Sequence, residues 1–165
     1  MTMFPDPINA LTRQLIDAAR QSGLRIATAE SCTGGLVSAA LCAVAGASDV
    51  FDRGFVTYSN TAKMEMLGVP ASTLGAFGAV SEPTARAMAK GALAHSDSDL
   101  AISITGIAGP GGGSSEKPVG TVYLAVARRD GAVQCRHESF GDPGRETIQM
   151  DSLASALTML LDALA

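Results

Sequence analysis

The chain contains few of the residues on which disulfide frameworks and structural metal sites depend. Its 165 residues include no tryptophan, two histidines and three cysteines, and aromatic residues make up 4%. The cysteines are odd in number and form no CxxC motif, which argues against a disulfide framework and against structural zinc. The sequence therefore predicts no metal site and a reducing compartment, for which the cytoplasm is the expected location. The three are Cys32, Cys42 and Cys135.

Clusters of positive charge are also missing. The formal net charge is −4 and the sequence pI is about 5.0, and Arg128-Arg129 is a pair rather than a run. Since nucleic-acid binding depends on the neutralisation of many phosphates, this composition argues against a nucleic-acid partner. A small anionic ligand needs only a local site, so the overall charge does not exclude one.

No segment predicts membrane insertion or export. The least polar stretch, Gly34–Ala47, is too short and too rich in small residues to span a bilayer. Residues Met1–Pro7 lack the basic start and apolar core of a signal peptide. We therefore expect neither a membrane partner nor a cleaved leader.

What the chain does contain is apolar: 47% of its residues are hydrophobic and 17% are charged, which is typical of a globular protein. Its length fits one domain, residues 1–165. Strands alternate with helices at first and form a hairpin across Asp130-Gly131 later, which predicts an α/β fold with a mixed sheet. The patterns predict helices over 7–22, 36–44, 60–67, 81–95 and 145–164, strands over 24–29, 55–58, 100–104, 119–127 and 133–140, and a loop or broken helix over 70–80.

Three loops follow predicted strands: Glu30–Gly35, Tyr58–Lys63 and Thr105–Gly113. Ligands of α/β folds bind outside the carboxyl ends of the strands, so these loops are the expected site. The first is placed between a strand and a helix, where backbone N–H groups and the helix dipole favour a phosphate or an oxyanion.

Ser31 has two interpretations. A serine at the end of a strand, in front of helical N–H groups, resembles the exposed nucleophile of a hydrolase, although no GxSxG motif is present. The alternative is that Ser31 is only the N-cap of the following helix, which is the commoner role of such a serine.

A serine nucleophile needs a base, and lysine fits better than histidine. His95 and His137 fall outside the three loops, at a helix end and within a strand. Lys63 falls in the first turn of a helix that Asn60 is expected to cap, where the helix dipole and burial would lower its pKa. Tyr58 precedes it and could relay a proton or orient it. The alternative for Lys63 is an exposed lysine.

The remaining candidates are less specific. The Thr105–Gly113 loop could hold a phosphate or a ribose on its N–H groups, or act as a flexible lid, and it matches neither the P-loop nor the GxGxxG pattern. Cys32 is expected at a helix N-terminus, where a thiol pKa falls, but a cysteine hydrolase requires a histidine nearby. Glu30 would orient its neighbours or cap backbone N–H groups.

Together these segments resemble the CinA C-terminal domain family, which includes the nicotinamide-nucleotide amidohydrolases. The resemblance covers nearly the whole chain in family order. It rests on five segments: Ala29–Gly35, Tyr58–Lys63 with Leu67–Val69, Gly78–Glu82, Ser103–Gly112 and Lys117–Val122.

The resemblance implies a three-layer α/β/α sandwich with a mixed, mostly parallel sheet. It implies deamidation of nicotinamide mononucleotide to nicotinic acid mononucleotide and ammonia, in pyridine-nucleotide salvage, with no cofactor. Ser31 would be the nucleophile and Lys63 its base, with Tyr58 assisting. The expected substrate-binding residues are Glu30, Cys32, Thr33, Gly34, Asn60, Thr105, Gly106, Gly109, Gly111 and Arg145.

Arg145 follows a turn that is longer than the family's Gly-x-Arg, so it could reach a phosphate, or the turn could cap the last helix. The chain begins almost at its first helix, which suggests the stand-alone form without a preceding molybdopterin-binding-like domain. A homodimer or larger homo-oligomer is expected. The alternative function is a non-catalytic nucleotide-binding or regulatory module of the competence/damage-inducible CinA type.

Overall fold

The computed structural model describes residues 3–165. The sequence predicts no signal peptide in Met1–Pro7, and the first two residues of that segment lie outside the described range. Within that range the chain forms six α-helices and five β-strands. The helices are α1 Asp6–Ser22, α2 Leu36–Cys42, α3 Asn60–Leu67, α4 Ala71–Phe77, α5 Glu82–Ala94 and α6 Arg145–Leu164, and a 3-10 turn spans Ala47–Asp49. The strands are β1 Ile26–Glu30, β2 Phe51–Val56, β3 Leu100–Gly106, β4 Thr121–Arg128 and β5 Val133–Ser139.

The strands form one open sheet in the order β2-β1-β3-β4-β5. Strand β1 is parallel to both β2 and β3, whereas β4 is antiparallel to β3 and β5. Four strands therefore run in one direction and β4 runs in the other, which confirms the predicted mixed sheet. Because β1, β2 and β3 are parallel, their carboxyl ends meet at one edge, and the three loops of interest begin there.

Helices cover both faces of the sheet, as the three-layer fold requires. Helices α1, α2 and α6 pack on one face, and α5, with α3 and α4 against it, packs on the other. The alternation of side chains along each strand separates two cores. Isoleucines and leucines such as Ile102 and Leu124 face the first group of helices, and alanines such as Ala101 and Ala125 face α5. The abundance of alanine thus allows α5 to lie close to the sheet.

Two glycines decide how closely elements approach. Gly91 of α5 lies against α3, and a Cβ atom there would be 2.0 Å from the carbonyl oxygen of Leu67. Gly54 precedes the predicted strand 55–58, but in the structure it lies inside β2. A Cβ at Gly54 would be 2.4 Å from Ser38 Oγ and 2.7 Å from Thr28 Oγ1, so the glycine admits α2 rather than ending the strand.

The remaining boundaries lie within a few residues of those predicted. The segment 70–80 contains the short helix α4, and the hairpin between β4 and β5 turns at Asp130-Gly131 as predicted. Ser81, the predicted first residue of the helix 81–95, is the N-cap of α5, and its hydroxyl accepts from the Thr84 N–H. Over residues 3–165, none of the helices combines the length and the apolar character needed to cross a bilayer.

Candidate active site

The turn after β1 is built around the carboxylate of Glu30, which is fully buried. Its oxygens accept hydrogen bonds from the backbone N–H groups of Gly35 (3.1 Å), Val37 (3.1 Å) and Ser38 (2.9 Å). They also accept from the hydroxyls of Thr33 (2.7 Å) and Ser38 (2.9 Å). The anion at the N-terminus of α2 is therefore part of the protein, and the prediction that Glu30 caps backbone N–H groups is confirmed.

Ser31 is not the N-cap of α2. The helix begins at Leu36, and the residue before it is Gly35, in a left-handed conformation. The backbone N–H of Ser31 donates to Ile104 O (3.0 Å), which continues the β1–β3 pairing by one residue. Ser31 therefore stands at the end of the parallel ladder, with its hydroxyl available for another partner.

That partner is Lys63, whose side chain is 1% exposed. Its Nζ donates to Ser31 Oγ (3.0 Å), to Thr57 O (2.8 Å) and, at 3.4 Å, to Tyr58 O. Helix α3 supplies the lysine from its first turns, and the hydroxyl of Ser59 caps that helix by accepting from Ala62 N–H (3.0 Å). The expectation that Asn60 is the cap was wrong, and so was the alternative that Lys63 is an exposed lysine.

Burial shifts the pKa values of Lys63 and Cys32, the two titratable groups beside Ser31, in opposite directions. It lowers the pKa of the Lys63 ammonium below its ordinary 10.5, against a smaller opposing effect of Cys32. It raises the pKa of the Cys32 thiol from 9.0 to about 12, so the lowered value expected at a helix N-terminus was wrong. A neutral lysine is a base, whereas a protonated thiol is a poor nucleophile. The arrangement therefore favours Ser31 over Cys32 as the attacking group.

These side chains line a cavity of about 250 Å³, near the lower end of ligand-pocket sizes, about 300 Å³. It lies at the carboxyl edge of the sheet, between the turn after β1, the start of α3 and the glycine-rich loop. In the described part of the chain, no acidic residue lines it. The lining residues are Ser31, Cys32, Tyr58, Lys63, Ala79, Val80, Thr105, Gly106, Ile107, Ala108, Gly109, Gly111, Gly112 and Arg145.

Arg145, the first residue of α6, reaches this cavity from the far end of the sequence. Its Nη1 donates to Gly109 O (2.7 Å) and its Nη2 donates to the hydroxyl of Tyr58 (3.0 Å). A second contact from α6 also reaches the site, because Gln149 Nε2 donates to Cys32 O (2.9 Å). Helix α6 thus holds both the glycine-rich loop and the turn that carries Ser31.

The cavity contains most of the residues that the sequence singled out, but not all. Four of the expected substrate-binding residues do not line it: Glu30, Thr33, Gly34 and Asn60. Glu30 and Thr33 are buried and hydrogen-bonded to one another. Asn60 is the first residue of α3 and is exposed. Their positions follow from the turn geometry, which directs Ser31 and Cys32 to the cavity and Glu30 beneath it.

Sequence reasoning missed several contributors. Ala79 and Val80 lie in the segment Gly78–Glu82, for which no role was predicted. Ile107 and Ala108 lie in the glycine-rich loop, where the predicted binding residues were Thr105 and three glycines. Thr57, whose carbonyl accepts from Lys63, has no chemical signature in the sequence. Gln149 lies more than a hundred residues from Cys32 and could be found only from the packing of α6.

The two histidines lie away from the cavity. His95 ends α5, with its Nδ1 2.8 Å from Gly91 O, and His137 stacks on the ring of Tyr123 at a centroid distance of 4.4 Å. Across residues 3–165, no three His, Cys, Asp or Glu side chains are grouped so that they could hold a metal ion. The titratable side chain that is hydrogen-bonded to Ser31 is the lysine, not a histidine.

Comparison with known proteins relates this arrangement to one family. The CinA C-terminal domain matches residues 8–164. The nicotinamide-nucleotide amidohydrolase PncC of Escherichia coli (strain K12) is 50% identical over 159 residues, which are 96% of this chain and 95% of that protein. A CinA-like protein of Akkermansia muciniphila is 50% identical over 155 residues, which are 93% of this chain but 37% of that protein.

Solved structures agree with the sequence comparison. The competence/damage inducible protein CihA from Agrobacterium tumefaciens superposes with a TM-score of 0.96 at 52% identity, and the match covers 99% of each chain. The chain spans only 34% and 37% of the length of some curated relatives, and nearly all of the length of others. From the match over residues 8–164 and these identities, the chain belongs to the CinA C-terminal domain family.

Proposed function

We propose that this protein is a nicotinamide-nucleotide amidohydrolase that converts nicotinamide mononucleotide and water to nicotinic acid mononucleotide and ammonia. The observation that carries the proposal is the 3.0 Å contact between Lys63 Nζ and Ser31 Oγ at the wall of the cavity. Relatives named as PncC amidohydrolases, which this chain matches over nearly its full length, support the substrate class. The reaction would serve the salvage of pyridine nucleotides.

The contacts of Lys63 suit a base. A neutral amine has two N–H bonds and one lone pair. The carbonyl oxygens of Thr57 and Tyr58 can only accept, so they take the two N–H bonds. The lone pair then faces Ser31 and can accept its hydroxyl proton. In this scheme Tyr58 assists the base through its main-chain carbonyl.

The proposed reaction proceeds in two halves. Ser31 Oγ bonds to the carboxamide carbon as its proton passes to Lys63, and the carbonyl oxygen becomes an oxyanion. The carbon–nitrogen bond then breaks, and the leaving nitrogen takes the proton from Lys63 and departs as ammonia. Water then attacks the ester carbon as Lys63 takes one of its protons. The bond to Ser31 Oγ breaks, Lys63 returns that proton to Oγ, and the acid product loses its remaining proton to solvent and leaves as the carboxylate.

Backbone N–H groups beside Ser31 would stabilise the oxyanion. Within residues 3–165, the N–H groups of Cys32 and Thr33 donate to no backbone carbonyl, although both residues are buried; the Cys32 N–H faces its own thiol. Buried N–H groups without partners are rare in folded proteins. The loss of one such donor to an oxyanion typically lowers the rate by about 10²–10³-fold.

The test is ammonia release from nicotinamide mononucleotide by the purified protein, beside Ser31→Ala and with EDTA present. We expect turnover that persists in EDTA and falls by about 10³-fold or more in the variant. Ser48→Ala, an exposed serine on the 3-10 turn, is the matched control and should keep full activity. Full activity of Ser31→Ala would contradict the mechanism.

A second candidate is a nucleotide-binding or regulatory module without turnover. Several relatives at 48–50% identity are named CinA-like rather than as hydrolases, and this observation favours it. Saturable binding of the nucleotide by the wild-type protein without ammonia release would select this function. The residues Ser31 and Lys63 would then need no acid–base role, and their substitution would not alter the lifetime of the ligand.

Two expectations about the proposed enzyme concern its surroundings. Cys32, Cys42 and Cys135 are free thiols, which supports a reducing compartment such as the cytoplasm.

Exposed apolar side chains, Val56, Met64, Met66 and Phe77, support a homodimer or larger homo-oligomer. Sedimentation of the purified protein tests the second expectation, and a monomer at all concentrations would overturn it.

A further inference from the structure

The guanidinium of Arg145 is held by two neutral groups at the rim of the cavity. Gly109 O accepts from Nη1 (2.7 Å) and the Tyr58 hydroxyl accepts from Nη2 (3.0 Å). All three residues line the cavity. Within residues 3–165, Arg145 takes part in no ion pair, in contrast to Arg86, which pairs with Glu82 at 2.8 Å. Its positive charge is therefore oriented but not neutralised.

The position of Arg145 is unfavourable for stability alone. It is the first residue of α6, where the helix dipole disfavours a cation. The other basic residue of the cavity, Lys63, is buried and already directed to Ser31 and two carbonyl oxygens. Arg145 is thus the cation that a phosphate in this cavity can meet, and a guanidinium retains further N–H donors for it.

The side chain of Tyr58 contributes little to packing, since the residue is 62% exposed. Among the described residues its hydroxyl forms no hydrogen bond with Ser31 or Lys63, although its main-chain carbonyl accepts one from the lysine. We propose that the Tyr58 hydroxyl is a positioning group that fixes Arg145 as the anchor for the phosphate of the substrate. On this basis Tyr58 sets the preference for a nucleotide over the corresponding nucleoside. The proposal rests on the proposed function for the identity of the substrate.

The experiment compares nicotinamide mononucleotide with nicotinamide riboside, which lacks the phosphate. In Tyr58→Phe we expect the ratio of the two kcat/KM values to fall by about five- to tenfold, mainly through the KM for the mononucleotide. The midpoint of the pH–rate profile should not move. Tyr123→Phe is the matched control. Tyr123 is the second of the two tyrosines in the sequence and does not line the cavity, so this substitution should leave the ratio unchanged.

A double-mutant cycle tests whether Tyr58 acts through Arg145. Arg145→Ala should lower the ratio further than Tyr58→Phe, and Tyr58→Phe should have no added effect in the Arg145→Ala background. Equal losses in kcat for both substrates, with a displaced pH profile, would instead assign the hydroxyl to proton transfer and overturn the proposal. Additive losses would overturn it as well.

Binding measurements separate this proposal from the proposed function. Calorimetry of nicotinamide mononucleotide with Ser31→Ala and with Ser31→Ala/Tyr58→Phe requires no turnover. We expect the second protein to bind the mononucleotide about five- to tenfold more weakly and the riboside with little change. This result would support the role of Tyr58 even if the wild-type protein released no ammonia, and equal affinities would overturn it.

Discussion

The Nζ atom of Lys63 lies 3.0 Å from the Oγ atom of Ser31, although Ser31 directly follows β1 and Lys63 lies in α3, which follows β2. The contact forms because β1 and β2 are parallel neighbours, so the residues that follow them meet at one edge of the sheet. It is enclosed, since Lys63 is 1% and Ser31 8% exposed. An amine beside a hydroxyl away from water is an arrangement that supports proton transfer at moderate pH.

The pH dependence of the reaction should report Lys63. Its pKa is lowered by burial, and in the proposed mechanism only the neutral amine can accept a proton from Ser31. We expect kcat/KM to rise with pH and then to level off. The midpoint of the rise should lie below 10.5, the ordinary lysine pKa. Initial rates from about pH 5 to about pH 11.5 measure this. A profile that is flat, or that still rises steeply above the ordinary value, would contradict a lysine base.

The same group makes stability depend on pH. Because the pKa of Lys63 is lower in the folded protein, the unfolded chain binds the proton more strongly between the lowered pKa and 10.5. The wild-type free energy of unfolding, relative to Lys63→Met, should therefore increase with pH in that window, by at most about 1.4 kcal/mol per pH unit. Urea unfolding of both proteins at several pH values tests it. A decrease with rising pH in that window would disprove the lowered pKa.

Gly91→Ala should weaken both the fold and the site. The added Cβ would stand 2.0 Å from Leu67 O, so α3, which carries Lys63, must move. We expect a loss of about 1–3 kcal/mol in unfolding free energy and a lower kcat. Gly75→Ala in α4 is the matched control, since nothing lies within 4 Å of its Cβ position. It should stabilise the protein by about 0.5–1 kcal/mol and leave the rates unchanged.

Glu30→Gln should disturb the turn before Ser31. A glutamine amide keeps one acceptor oxygen and replaces the other by a donor, so N–H groups such as that of Ser38 lose their partner. We expect a loss of about 1–3 kcal/mol in stability and a fall in kcat with little change in KM, measured by unfolding and steady-state rates. Glu65→Gln, on the exposed face of α3, is the control. Unchanged kcat in a folded Glu30→Gln would contradict a link between this carboxylate and the nucleophile.

Local sequence signals predicted the elements well where their cause was local. Three predictions agree with the structure: the end of α1 before Gly23, the end of α3 before Gly68 and the whole of α6. Each depends on short-range chemistry, such as a left-handed glycine after a helix. The start of β2 was predicted too late, because the glycine at position 54 is required by Ser38 and Thr28, which approach it from outside β2. The cap of α3 was misplaced by one residue, because Ser59 and Asn60 are both good caps.

The sequence by itself determined which residue types stand at the ends of the strands. It supplied Ser31, Lys63 and the glycine-rich loop, and the order of strands and helices then limited them to one edge of a mixed sheet. What only the tertiary structure decided is which of them touch. The Tyr58–Arg145 contact joins positions 87 residues apart, and Gln149 reaches Cys32 across 117. The burial that lowers the pKa of Lys63 arises from elements packed around it. Distances and desolvation belong to the packed chain as a whole, so no local pattern of residues encodes them.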